Sequence, residues 1–126
     1  GNSTNGKLKM NAQEIFDKVV VHLNNQGHPA RDMNGACVYL APNGDMCAVG
    51  CLLGDRYRPT MENTPASMLV DKFEFADLKP HAAMLECLQT THDYCIDVAD
   101  LRTELARHAA SFKLKFDEQM ITNWQG

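Results

Sequence analysis

The fold class depends on residues 36–55, which read ACVYLAPNGDMCAVGCLLGD. Cys37–Leu40 contains residues that favour strands. The Pro-Asn-Gly-Asp stretch at 42–45 is typical of a tight turn, because proline presets φ while asparagine and glycine tolerate positive φ. We therefore predict a small β-hairpin at this place, with Gly44 at positive φ.

The segment after this turn is ambiguous. Cys47–Leu53 is an unbroken apolar run, and a run of this length fits either a buried strand or a helix. We favour a short return strand near Met46 and then a helix that begins at about Cys47. Gly50 would allow close packing against a neighbouring segment.

The first helix is predicted at 12–26. Asn11 can cap its N-terminus, and Glu14 stands three residues later, which is the spacing of a capping box. Gly27 provides the C-terminal stop. Apolar residues at helical spacing predict two further long helices, at 80–95 and 97–110, with Asp97 as the cap of the latter. Shorter helical segments are predicted from Pro65 to about Val70 and after Asp117.

These elements predict an α+β fold, in which a helix-dominated single domain carries one small β-hairpin after the first helix. We expect a disordered tail at 1–9 and a single globular domain at 10–126. A chain of 126 residues is long enough to bury a core without disulfides or metal.

Charge and cysteine content narrow the functional classes. The net charge of −4 argues against a general nucleic-acid-binding protein, which needs a basic face. No stretch approaches the roughly eighteen apolar residues of a membrane span. Five cysteines cannot all pair within one chain, and the polar N-terminal residues lack the apolar core of a signal peptide. We expect a reducing, cytoplasmic location.

Part of the sequence resembles small uncharacterised proteins of phages and prophages. The similarity lies in Gly35–Tyr39, in the turn at 42–44, in Cys47–Leu53 and in the later segment Leu88–Asp93. That family has no known activity, so no residue role is implied. The resemblance implies a bacterial or phage cytoplasmic protein, an accessory factor.

A zinc site is the first specific hypothesis. Cys47 and Cys51 are four residues apart and would share one face of a helix, and His92 and Cys95 would do the same on a later helix. Three thiolates and one imidazole suit tetrahedral zinc. The competing interpretation is that the thiols are packed in the core and that His92 is a hydrogen-bonded core histidine.

Nucleophilic catalysis is the second specific hypothesis. If Cys47 begins a helix, the free amide groups and the helix dipole there would lower the pKa of its thiol. His92 or His28 could act as the base, with Asp93 or Asp45 orienting it. A thiol that simply ends the hairpin is the competing interpretation.

The sequence favours a non-catalytic function. We expect a small cytoplasmic accessory or interaction protein of phage or prophage origin that needs no cofactor and binds another macromolecule. That partner is expected to be a protein rather than a nucleic acid or a membrane. The alternatives are a Cys-dependent hydrolase centred on Cys47 and a zinc-stabilised binding module.

Overall fold

The structure, a computed structural model, describes residues 9–126. The predicted disordered tail at 1–9 lies outside the described residues except for Lys9. Five α-helices carry the described part of the chain: α1 Ala12–Gln26, α2 Gly50–Leu53, α3 Ala66–Lys72, α4 Ala82–Tyr94 and α5 Val98–Ser111. Short 3-10 turns connect or follow them at Gly54–Arg56, Pro59–Met61, Lys79–His81 and Glu118–Met120. No helix within 9–126 is long and apolar enough to cross a membrane.

Helix α1 forms as its sequence predicts. Its capping box is complete, because the Asn11 side chain accepts from the Glu14 N–H at 2.8 Å and the Glu14 side chain accepts from the Asn11 N–H at 2.9 Å. Gly27 ends the helix in the left-handed conformation, with φ of 79°. One face of the helix enters the core and contributes Ile15, Phe16, Val19, Val20 and Leu23.

The predicted helices at 80–95 and 97–110 are also confirmed, as α4 and α5. The Asp97 side chain caps α5 by accepting from the Asp100 N–H at 2.8 Å. The short segment after Pro65 is helix α3, and the Asp117 side chain caps the final 3-10 turn. Side-chain caps thus hold the N-termini of α1, α5 and the final 3-10 turn, whereas α2, α3 and α4 begin without one.

Helix α4 holds the central position in the packing. It packs against α3 on one side and against α5 on the other, while α1 packs against α2. Leu88 of α4 and Leu105 of α5 are both fully buried in the shared core. The side chains of α4 therefore reach several separate segments of the chain.

The C-terminal segment returns across the helices. Ile121 and Trp124 are buried in the core, and Phe116 packs edge-on against Phe16 of α1 with ring centroids 5.7 Å apart. The indole N–H of Trp124 donates to the carbonyl of Cys95 at 2.9 Å, beyond the end of α4. The last residues thereby tie α1 to the junction between α4 and α5.

The predicted β-hairpin, and with it the α+β fold class, is wrong. The described residues contain no strand, and the protein over that range is all-α. The turn itself is present, since Gly44 has φ of 95° and a single antiparallel bridge joins Leu40 to Met46. Pairing does not extend beyond that bridge.

Side chains bind backbone groups on both arms of the turn. The Glu62 carboxylate accepts from the Tyr39 N–H at 3.0 Å and from the Leu40 N–H at 3.3 Å. On the returning segment, the Gln26 side chain accepts from the Met46 N–H and donates to the Met46 carbonyl, both at 2.9 Å. The Cys47 N–H donates to the Tyr39 carbonyl at 3.2 Å and the Ala41 N–H to the Asp45 carbonyl at 2.8 Å, so Leu40 and Met46 are a non-hydrogen-bonded pair whose own backbone groups point away from each other. Of these side-chain contacts, only that of Glu62 with the Tyr39 N–H takes a group that a longer ladder would use.

The return segment becomes helical later than predicted. Helix α2 begins at Gly50 rather than at Cys47. A Cβ at Gly50 would collide with the Tyr39 backbone carbonyl, so the close packing predicted at this glycine is confirmed. The later start leaves Cys47 before the helix, which matters for its chemistry.

Substitutions in α4 and α5 test the core. Leu88→Ala and Leu105→Ala should each lower the free energy of unfolding by about 2–5 kcal/mol, because each removes a fully buried side chain. Leu40→Ala is the matched control, since Leu40 is 39% exposed and should lose less than about 1 kcal/mol. Denaturant titration measures all three. Equal losses at the buried and exposed leucines would contradict the packing.

Candidate functional site

Three chemically active side chains meet beside helix α4. A ligand atom from each of Cys37, His92 and Asp93 lies within 4.8 Å of the other two, and this is the one such group of three or more among residues 9–126. His92 and Asp93 were predicted as site residues, whereas the cysteine beside them is Cys37 rather than Cys47. A cavity of about 330 Å³, lined in part by Cys37 and Asp93, opens next to the group.

The hydrogen bonds of His92 fix its tautomer. The ring is fully buried, and its Nε2 accepts from the Ala30 backbone N–H at 2.9 Å. A nitrogen that accepts a hydrogen bond carries no proton, so the proton of the neutral ring sits on Nδ1. Nδ1 then donates to the Asp93 carboxylate at 2.7 Å. Both ring nitrogens are therefore occupied.

Asp93 connects this histidine to Gln89, which lies one turn earlier in α4. The Gln89 side chain donates to the same carboxylate oxygen at 3.0 Å. The carbonyl of that amide accepts from the Val49 N–H at 3.2 Å, at the start of α2. His92, Asp93 and Gln89 thus hold the loop at Ala30 and the residue before α2 against one face of α4.

Cys37 faces a carboxylate rather than a base. Its thiol is half-buried and lies within 4.8 Å of an Asp93 carboxylate oxygen. Burial, and then the negative charge of Asp93, raise the pKa of the Cys37 thiol above its ordinary value. The thiol is therefore protonated at neutral pH, which is the unreactive form.

This geometry does not suit nucleophilic catalysis. A catalytic cysteine needs a base with a free lone pair within reach of the thiol. His92 has none, because Nε2 accepts from Ala30 and Nδ1 carries the proton. His28 lies elsewhere, where its Nε2 is 2.8 Å from an Asp45 carboxylate oxygen.

The same hydrogen bonds do not fit zinc. To bind a metal through Nδ1, His92 would have to move its proton to Nε2, where it would point at the Ala30 N–H. Cys47 and Cys51 do not join His92 and Cys95 in a group at ligand distance within the described residues.

The surroundings of Cys47 and Cys51 are those of packed thiols. Cys47 is fully buried, accepts from the Gly50 N–H at 3.2 Å, and has a thiol pKa that burial raises. The Cys51 thiol donates to the Ala48 carbonyl at 3.1 Å, and burial raises its pKa to about 12. All five cysteines are free.

The cavity beside this cluster has a neighbouring cavity along α4. A second cavity, also of about 330 Å³, lies between α4 and α5 and shares Glu86, Thr90 and Tyr94 with the first. Tyr94 stands between the two cavities and is 76% exposed. We call the two neighbouring cavities together the Tyr94 groove.

Acidic side chains form part of the walls of the Tyr94 groove. In the described part of the chain its lining includes no lysine or arginine and five acidic residues: Glu62, Glu86, Asp93, Asp100 and Glu104. Arg107 pairs with Glu104 at 3.1 Å. Among residues 9–126 the other four carboxylates lie in no ion pair with a lysine or arginine. The groove is therefore negatively charged.

Neutral donors hold these carboxylates in place. Glu86 accepts from the Ser67 N–H at 2.9 Å, Asp100 accepts from the Ile96 N–H at 3.0 Å, and Glu62 accepts from the Tyr57 hydroxyl at 2.8 Å. Such bonds fix the positions of the oxygens without cancelling their charge. The negative groups of the groove are thus ordered before any ligand arrives.

The thiols of the groove respond to the same negative charge. Burial and the charge of Glu86 raise the pKa of Cys87. Burial, and then the carboxylates of Asp100 and Glu104, raise the pKa of Cys95 to about 12. With Cys37, three separate thiols along the groove have nearby carboxylates that oppose the formation of a thiolate.

His108 lies at the far end of the groove. Its Nε2 is 2.6 Å from the hydroxyl of Thr91, which is buried on α4. Burial lowers the pKa of His108, with Arg107 acting in the same direction and Glu104 opposing it. The ring is therefore neutral at neutral pH and adds no positive charge to the groove.

Comparison with known proteins adds no relative. No protein-family model, no curated protein and no solved structure matches this chain. The resemblance to phage-type proteins accordingly stays a prediction.

Some residues of the site were not predicted. Cys37 was read only as part of a strand, and Gln89 was not singled out at all. Their roles depend on contacts between distant parts of the chain, such as that between Ala30 and His92. Leu88–Asp93, one of the segments that resemble phage proteins, contains three residues of the network.

Removing the charge of Asp93 should make Cys37 more reactive. In Asp93→Asn the pKa of Cys37 should fall, because the second largest cause of its elevation is lost. Alkylation by iodoacetamide at pH 7.5, followed by peptide mass mapping, should show faster labelling of Cys37 in folded protein. Labelling of Cys87 in the same sample is the internal control and should not change. Unchanged labelling of Cys37 would contradict its pairing with Asp93.

Acidification should destabilise the protein in part through His108. Its folded-state pKa lies below the unfolded value of about 6.5, so the unfolded state binds the proton first and stability falls as the pH drops through that value. Denaturant titrations between pH 5 and 8, compared with His108→Gln, measure this contribution. The variant should lose less stability on acidification, and an identical pH dependence would contradict the assignment.

Proposed function

We propose that this protein is a non-catalytic binding protein that recognises another protein through the Tyr94 groove. The observation that carries the proposal is the position of Tyr94, an aromatic side chain 76% exposed between two cavities. Exposed aromatic side chains beside pockets are typical centres of binding energy in protein interfaces. The occupied nitrogens of His92 support binding over catalysis at the same place.

The groove is built on a rigid support. Tyr94 is the last residue of α4, directly after His92 and Asp93, which are tied to the loop at Ala30 and to Gln89. Ile96, two residues later, is 69% exposed and extends the apolar surface. A binding surface on a held helix end loses little conformational entropy when a partner docks.

A bacterial cytoplasmic setting belongs to this proposal. The resemblance to phage and prophage proteins supports it, as does the count of five free cysteines in the structure. We propose an accessory role in which the protein acts by holding a partner.

Photo-crosslinking tests the proposal. Benzoylphenylalanine at position 94 should yield one discrete crosslinked product in native cells, which mass spectrometry identifies. The same probe at Val21, which is 45% exposed on α1 and lines neither cavity, is the matched control. No product from position 94, or the same product from both positions, would overturn the proposal.

The identified partner then allows a quantitative measurement. Tyr94→Ala should weaken its binding by about 30-fold, which corresponds to about 2 kcal/mol. The stability of the variant should change by less than about 0.5 kcal/mol, because the side chain is largely exposed. Calorimetric titration and thermal unfolding measure the two effects separately.

A further inference from the structure

We propose that the Tyr94 groove receives a cationic segment of its partner, with lysine or arginine side chains lying in the two cavities. This inference rests on the proposed function, since it names the chemistry of the segment that docks there. It depends on three features: the charge of the groove, its floor and the exposed aromatic ring.

Charge complementarity selects a cation. Five carboxylates line the groove, and the only arginine paired with any of them among the described residues is Arg107, at its edge. An anionic ligand such as a nucleic acid would be repelled by these groups. A lysine or arginine side chain would instead form charge-assisted hydrogen bonds with oxygens that are already positioned.

Glu86 has a special place in this arrangement. It lines both cavities, and its carboxylate is fixed by the Ser67 N–H rather than by a cation. A cationic group in either cavity would lie near it. Glu86 is therefore the carboxylate whose removal should weaken binding most.

The apolar floor of the groove and the exposed ring of Tyr94 at its rim can contact the other parts of a long basic side chain. Between α4 and α5 the groove is lined by Cys87, Thr91 and Cys95, whose thiols and methyl group can contact the methylene stem of lysine or arginine. The exposed ring of Tyr94 offers its face to an ammonium or guanidinium group. A simple metal cation or ammonium ion has no methylene stem to place on this floor.

The two cavities on either side of Tyr94 favour a peptide with two basic side chains over a ligand with a single cationic group. They share Glu86, Thr90 and Tyr94, so two basic side chains of one segment can occupy them together. Joining the two contacts in one segment raises affinity without any new interaction. A peptide with neighbouring basic residues is the simplest ligand of this kind.

Titration with short peptides tests the inference. Acetylated and amidated tetraarginine, added to 15N-labelled protein, should shift the amide signals of Thr90, Thr91 and Tyr94, and raising the salt from 50 to 300 mM should weaken the binding. Tetraglutamate should cause no shifts. Shifts spread over the whole surface would overturn the inference.

Matched variants locate the binding. Glu86→Gln should weaken tetraarginine binding by about 3–10-fold, since it removes one charge while the amide oxygen can still accept from Ser67. Glu118→Gln, an exposed carboxylate outside both cavities, is the control and should bind as the unaltered protein does. Thermal unfolding verifies that both variants fold. Equal affinities of the two variants would overturn the inference.

Competition separates the two proposals. If tetraarginine abolishes the crosslink from position 94, both are supported. A crosslink that persists in saturating tetraarginine overturns the cationic chemistry alone, whereas tetraarginine binding without any crosslink overturns the interaction function. Spermidine that displaces tetraarginine at equal concentration would indicate a site for small polyamines and would overturn the peptide ligand.

Discussion

The hydrogen bond from the Ala30 backbone to Nε2 of His92 determines much of what this structure can do. A buried backbone N–H that lost its partner would cost about 1–3 kcal/mol, so the imidazole is needed where it lies. By occupying Nε2, this bond places the ring proton on Nδ1 and directs it to Asp93. The loop at Ala30, helix α4 and the groove are thereby linked through one side chain.

The elements that the sequence predicts well are those whose hydrogen-bond partners lie within one helical turn of each other. Asn11 and Glu14 complete their capping box within one helical turn, and Asp97 caps α5 over three residues. The hairpin failed for the opposite reason. Its turn is local and forms, but the Tyr39 N–H, which a longer hairpin would direct to the Cys47 carbonyl, donates instead to Glu62, 23 residues away in the chain. A pattern of apolar residues and turn residues contains no information about such partners.

The candidate site likewise contains residues whose contacts are local in sequence and residues whose contacts are not. His92 and Asp93 are adjacent in the chain, so their pairing could be predicted, and they do interact. The choice of cysteine could not be made from spacing, because it depends on how the loop from Ala30 to Leu40 folds back on α4. Cys47 was favoured as the first residue of a helix, yet α2 begins at Gly50 and leaves Cys47 fully buried. Cys37, in the segment read as a strand, takes the place beside the carboxylate.

The tautomer of His92 also explains why the groove keeps its charge. If the ring were protonated on both nitrogens, it would neutralise Asp93, which would then contribute little to the recognition of a cation. With Nε2 occupied by Ala30, the ring orients the carboxylate through a neutral donor and leaves its negative charge intact. Because of this bond, His92 has no free nitrogen that could act as a base for Cys37 or as a zinc ligand. The same bond directs Nδ1 to Asp93 and so orders a carboxylate at the wall of the groove. One interaction therefore sets both the packing of the Ala30 loop on α4 and the arrangement of hydrogen-bond donors around Asp93.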